Sequence, residues 1–228
     1  MPVDVPRVPP PWRLRGNGYV FLFTFKPGFL RAGGFLSPEL EGEGGIEGQL
    51  GVLMLVEYLE SPVGPYRELL FLAGRDLRWR HHRFSITRIY VSTEPSAVNG
   101  RENWGIPKQR ADFQVIRKAD GAERVILLLD GFAKVDLTMA PAKGHAWPVA
   151  GLLAPPSWRT ITQFKAGQPL VTRLSGRGLL RPAELLDFRT LPQVFPDVNE
   201  GEPVAGFRVA DFRLRFPKPA GDGAFRRS

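Results

Sequence analysis

The sequence predicts a mainly β protein, a closed antiparallel β-barrel with a few short helices, and three observations carry that prediction. Among 228 residues there are 25 Gly and 22 Pro, which cut the chain into short elements and leave little room for long helices. The composition is 43% hydrophobic with 16 Phe, ample for a core or an apolar pocket. About nine short β-prone runs are separated by turn residues. A barrel is favoured over a sandwich because its interior can hold a small ligand away from water. The length fits one domain. Residues 1–16 read as a proline-rich arm, 17–220 as the barrel and 221–228 as a flexible tail.

The arm is extended because its many prolines lack the amide donors that regular pairing needs. Residues 19–25 (YVFLFTF) are aromatic and β-prone and form the first strand. Residues 27–36 hold one weak helical turn, interrupted by Gly33 and Gly34. A glycine-rich loop over 41–48 reads as a flexible hairpin. With no following Lys-Ser/Thr pair it is not a phosphate cradle. Strands are expected at 50–59, 66–73 and 86–92. A short helix starts at Glu94 with Pro95 at an early position, and Gly100 is expected to limit it. Residues 111–118, 124–129 and 134–138 read as a meander, followed by strands at 170–174 and 204–216. In the last, Ala210, Phe212, Leu214 and Phe216 share one face and Asp211, Arg213 and Arg215 the other, the mark of a half-buried antiparallel strand.

Cysteine is absent, so disulfides and thiolate chemistry are excluded and the chain suits a reducing cytoplasm. Nothing resembles a signal peptide or a run of about 18 apolar residues, so a soluble protein with no membrane partner is expected. The formal charge of +8 favours anions in general without naming one. Residues 75–83, with Arg78, Trp79, Arg80, His81, His82 and Arg83, mix basic and aromatic groups as nucleic-acid surfaces do, but a hairpin tip is the simpler reading and no nucleic acid is expected. His81 and His82 would face opposite sides of a strand, and His145 stands alone near Trp147, so no metal is expected.

The most informative residues are 99–110, NGRENWGIPKQR. They set Lys108 directly behind Pro107, whose fixed φ, with Ile106 pushed toward extended geometry, makes a rigid segment able to aim the next side chain. A lysine amine attacks carbonyl compounds only when neutral, so it needs desolvation or a nearby cation to bring its pKa down from about 10.4. Arg110 lies two residues on and would share a strand face, a candidate electrostatic support. Glu68 falls on one strand face with Tyr66 and Leu70, and is either an inward carboxylate or a strand-end partner of an arginine. Glu57, also in an apolar strand, faces a cavity or an edge. Arg101 and Glu102 are expected to brace the loop.

Residues 93–102 (TEPSAVNGRE) and 105–108 (GIPK), with GPYRE at 64–68 upstream, resemble the acetoacetate decarboxylase family. The resemblance covers about residues 12–175, and is specific in its Gly-Arg-Glu and Pro-Lys portions. It implies a closed β-barrel with a few helices, needing no cofactor, in which the lysine after proline forms an imine with a β-keto acid. Lys108 would take that role, and Glu68 the handling of protons or the positioning of substrate. Family members often form large oligomers, but this shorter chain departs enough from the pattern that the assembly is not carried over to it, and a homo-oligomer stays open. Two residues depart from the pattern. Gln109 stands where the family has a second lysine, and the place of an arginine that helps hold the substrate carboxylate falls near Asn17, with Arg13 and Arg15 out of register. These departures leave open a non-catalytic barrel that binds a hydrophobic acid, and aldolase or dehydratase chemistry on the same lysine.

Overall fold

The computed structural model describes residues 5–41, 49–74, 84–150 and 156–221. The glycine loop with Gly42, Gly44, Gly45 and Gly48, the basic run with Arg78, Trp79, Arg80, His81, His82 and Arg83, and the C-terminal tail lie outside the described residues.

Among the described residues thirteen strands form one sheet, in the order β11-β10-β4-β3-β2-β1-β13-β12-β8-β7-β6, with β5 on β4 and β9 on β12. In chain order they begin with β1 (Trp12–Phe25), β2 (Leu50–Glu60), β3 (Tyr66–Gly74) and β4 (Phe84–Val91). After helix α3 (Glu94–Trp104) come β5 (Lys108–Arg110), β6 (Asp112–Arg117), β7 (Glu123–Leu129) and β8 (Phe132–Pro141). The remainder are β9 (Trp147–Ala150), β10 (Thr160–Lys165), β11 (Gln168–Arg173), β12 (Ser175–Thr190) and β13 (Gly201–Phe216). Two single-turn helices, α1 (Phe29–Gly33) and α2 (Pro38–Glu41), follow β1.

The sheet is open, not the closed barrel expected. Among the described residues no ladder joins β6 to β11. The far edge of β4 is divided between β5 and β10, which touches it at one position, Ile161 on Phe84. From β5 the chain passes through Ala111 straight into β6, so covalent continuity links the two sides of the sheet where a barrel would use hydrogen bonds.

The central strands are buried on both faces, which is why β2 reads LGVLMLVEYLE, a nearly unbroken apolar run. On one side Tyr19, Phe21, Leu53, Leu69, Phe71 and Tyr90 pack with Val125, Leu137 and Phe195. On the other, Val52, Val56, Tyr58, Tyr66, Leu70 and Ile89 pack with Trp12, Trp104 and Ile161. The alternation expected in β13 holds for Phe212, Leu214 and Phe216, which pack on the second layer while Arg213 and Arg215 are exposed, but an irregularity at Asp211, whose φ is 44°, breaks it before Phe212 and leaves Ala210 out of that row.

Three local expectations change. The first strand starts at Trp12, not at 19, because from Trp12 to Phe25 no proline interrupts the amides that pair with β2 and β13. The arm before it is tied to α3: Asn99 Oδ1 accepts from Val8 N at 2.8 Å, its Nδ2 donates to Pro6 O at 3.0 Å, and Asn103 Nδ2 donates to Val8 O at 2.8 Å. Helix α3 runs through Gly100 and ends at Gly105, whose φ of 66° and amide bond to Arg101 O form the stop. The sixteen-residue β12 escapes a periodicity reading because Pro182 and two register irregularities break it; β13 pairs its first half and β8 its second.

Phe71 is fully buried and meets Phe25 and Phe195 edge-on at 5.9 and 6.5 Å. Phe71→Ala is expected to cost about 3–5 kcal/mol in a denaturant titration; a cost below about 1 kcal/mol would contradict this packing.

Candidate functional site

The site is assembled by the second apolar layer. In the ladders, Tyr58 of β2 stands opposite Tyr66 of β3, Val56 opposite Glu68, and Glu68 opposite Val91 of β4. Period-two alternation therefore places Tyr58, Tyr66 and Glu68 on one face. Lys108 enters that face from β5, in register with Ile89. The approach is set locally. Lys108 N donates to Ile106 O at 2.7 Å, a three-residue turn centred on Pro107, whose ring fixes the φ such a turn needs.

Helix α3 covers the amine. Ser96 supplies a hydroxyl from its first turns, and Gly100 supplies space: a Cβ there would lie 2.5 Å from Lys108 Cδ and 2.9 Å from Cε. Arg101 donates to Lys108 O at 2.6 Å and pairs with Glu94, and Glu102 pairs with Lys165 at 3.0 Å. Both residues thus sit in bracing contacts at the surface.

The resulting cluster is compact and dry. Lys108 and Glu68 are each 5% exposed, and Ser96 is fully buried. Lys108 Nζ donates to Glu68 Oε2 at 3.2 Å and to Ser96 Oγ at 3.1 Å, with Tyr66 Oη at 3.5 Å. The other carboxylate oxygen, Oε1, accepts from Tyr58 Oη at 2.8 Å. The Tyr66 ring lies 5.0 Å from the amine and 4.6 Å, centroid to centroid, from Tyr58. Burial, reinforced by the charge of Glu68, pushes the hydroxyls of both tyrosines well above the ordinary value near 10. They remain proton donors across the neutral range. A buried amine, a carboxylate in hydrogen-bond reach and a hydroxyl holding that carboxylate are side chains of the types that covalent catalysis on a carbonyl uses.

The remaining sequence candidates lie elsewhere. Arg110 is exposed and ion-paired to Asp112 at 2.7 Å, also donating to Ala111 O. The three-residue β5 buries only its first side chain, and Gln109 is exposed too. Glu57 projects to the opposite side of β2 from Tyr58 and binds Arg67 at 2.5 Å and Arg117 at 2.8 Å. Arg15 is held by Glu60 and Asp211 at 2.8 and 2.7 Å, and Pro107 is exposed. The sequence reading does not single out Tyr58 or Ser96, and it reads Gly100 as a helix limit and part of the Gly-Arg-Glu resemblance, not as the space for the Lys108 stem. Tyr58 carried a signal, since strand alternation followed across one hairpin aligns it with Tyr66 and Glu68.

An apolar cavity of about 620 Å³ opens on the same face. Val52, Met54, Val56 and Tyr58 line it from β2, with Leu72, Ile161 and Phe212 among the facing groups. A smaller, charged cavity of about 270 Å³ lies on the other face between Glu57, Arg67, Arg117 and Glu123. Among the described residues no helix is long and apolar enough to cross a membrane, and no three His, Cys, Asp or Glu are grouped as metal ligands.

No protein-family model and no curated protein matches the chain. Solved structures share its fold. Acetoacetate decarboxylase from Legionella pneumophila is 16% identical with a TM-score of 0.67, covering 97% of this chain and 92% of that one. The enduracididine biosynthesis enzyme MppR complexed with pyruvate is 14% identical, TM-score 0.63, covering 96% and 93%. An acetoacetate decarboxylase-like enzyme from Sphingomonas wittichii RW1 is 11% identical, TM-score 0.64, covering 92% of each chain. At these identities the likeness is one of fold, and the fold is that of the acetoacetate decarboxylase-like enzymes.

Two measurements check the site. All four tyrosines have raised pKa values, Tyr19 to about 12 and Tyr90, Tyr58 and Tyr66 through burial first. The folded chain therefore holds protons that the unfolded chain releases near pH 10. Stability is fully present below that pH and falls as pH rises above it, and tyrosinate absorbance in the folded protein should stay small at pH 10. Half-maximal tyrosinate absorbance at pH 10 would contradict the burial. Separately, Gly100→Ala should displace the Lys108 stem and lower any reaction of its amine at least tenfold while the fold persists by circular dichroism; unchanged reactivity would contradict the packing.

Proposed function

We propose that this chain is a lyase-type enzyme whose Lys108 forms an imine with a keto acid or related carbonyl compound, Glu68 serving as its acid and base. The observation that carries this reading is a lysine amine withdrawn from water and hydrogen-bonded to a buried carboxylate at 3.2 Å. The shared fold supports it, and so do the ligands of one neighbour: MppR is seen with pyruvate and with the condensation product of pyruvate and imidazole 4-carboxaldehyde. The lack of cysteine suits work in the cytoplasm.

The steps follow from the groups present. Lys108 passes its proton to Glu68, the freed nitrogen attacks the carbonyl carbon and the C–N bond forms; the carbonyl oxygen then leaves as water, carrying that proton from Glu68 and a second from the nitrogen. The protonated imine draws electrons. In a β-keto acid the bond to the carboxylate breaks, its electron pair moves through carbon to nitrogen, and carbon dioxide departs. The resulting enamine takes a proton on carbon, and water hydrolyses the imine to free the ketone and the amine. Tyr58, kept protonated by its surroundings, holds Glu68 Oε1 so that Oε2 faces the amine. The same enamine would add to an aldehyde in an aldol step or expel a β-hydroxyl as water.

A second reading is a protein that binds a hydrophobic acid without turnover, favoured by Asn17 and Gln109 standing where the family resemblance implies cations. Borohydride reduction during incubation with keto acids should leave a mass adduct on the peptide containing Lys108. Lys108→Ala should abolish it, and Glu68→Gln should slow imine formation about 100-fold. Binding without any adduct across the panel would leave the second reading in place of the first.

A further inference from the structure

The polar cluster is small, yet the cavity beside it is large and nearly all apolar. About 620 Å³ is the size of pocket that holds a drug-sized ligand, far more than a three- or four-carbon acid occupies. The strand register links it to the cluster. Val56 lines the cavity and stands in register with Glu68, and Tyr58 lines it while its hydroxyl donates to Glu68. Cavity and cluster are thus successive parts of one sheet face, with the Tyr58 ring at the junction. That ring is itself fixed from the cavity side by Phe212, edge-on at 5.7 Å, and from the lysine side by Tyr66.

We propose that the carbonyl substrate carries an apolar acyl or aryl tail, which lies in this cavity between Met54, Val56, Ile161 and Phe212 while its carbonyl meets Lys108. Tyr58 is the specificity-determining residue at the junction. This rests on the imine reading for the head of the substrate, but not for the tail, because burial of methylene groups in the cavity contributes whether or not the amine reacts. A keto acid of three or four carbons would leave the cavity unfilled and forgo that contribution. The tail therefore sets the substrate class as medium-chain keto acids or their aryl analogues.

The test has two arms. In the first, straight-chain 2-oxo acids from pyruvate to 2-oxooctanoate are trapped on Lys108 with borohydride at limiting concentration. Trapping should rise with chain length, by up to about fourfold per added methylene, the ratio equivalent to ~0.8 kcal/mol. Met54→Trp, which fills the cavity, should bring the ratio of long to short acids toward one. In the second arm, saturated acids from butanoate to octanoate, which form no imine, are titrated onto the wild-type protein by calorimetry, with the same rise expected. Chain-length dependence in the second arm with no adduct in the first would overturn the imine reading and keep the tail. A flat response in both arms, or a steep one that Met54→Trp leaves intact, would overturn the tail proposal.

Discussion

A lysine amine withdrawn from water costs several kcal/mol unless opposite charge and hydrogen bonds meet it, and here Glu68 Oε2 and Ser96 Oγ do so at 3.2 and 3.1 Å. That pair organises much around it. Glu68 must lie on the inner face of β3, which sets the register with β2 and puts Tyr58 within reach of its second oxygen. Lys108 must enter from a strand parallel to β4, which requires α3 to cross over and return the chain. The helix can lie that close because Gly100 has no side chain to collide with the lysine stem. Removing one partner would strand the other's charge, so each residue of the pair constrains the other.

The two-sided sheet makes this arrangement affordable in structural terms. Strands buried on both faces separate a layer built on Phe71, Leu53 and Leu137 from one that holds a polar cluster among Val56, Leu70 and Ile89. The arm adds a further clamp, with Asn99 and Asn103 of α3 fixing the backbone of Pro6 and Val8. The helix that covers the amine is therefore held at its middle by the N-terminal segment and at its end by Gly105.

What was legible in the sequence follows from local rules. The turn at Pro107 and the alternation through Tyr66, Glu68 and Leu70 depend on near neighbours, and both pointed to residues that the structure brings together. Arg110 shows what such rules leave out. Period two puts it on the strand face of Lys108, but its charge is engaged by Asp112 at 2.7 Å, a contact the alternation does not specify. Glu57 in its apolar strand gave no sign of Arg117, which lies 60 residues away. Ser96 and Gly100 act through the packing of a helix on a strand, a contact that no spacing along the chain encodes. The open sheet was equally hidden, because closure depends on whether the two ends pair across the molecule.

Imine chemistry leaves a signature that binding cannot imitate: every cycle returns the carbonyl with an oxygen taken from solvent. The decisive measurement is therefore the rate at which a ketone or keto acid acquires ¹⁸O from labelled water in the presence of the protein. Exchange well above the uncatalysed rate, returning to background in Lys108→Ala, is the predicted result. Exchange at the background rate with ligand demonstrably bound would contradict the account.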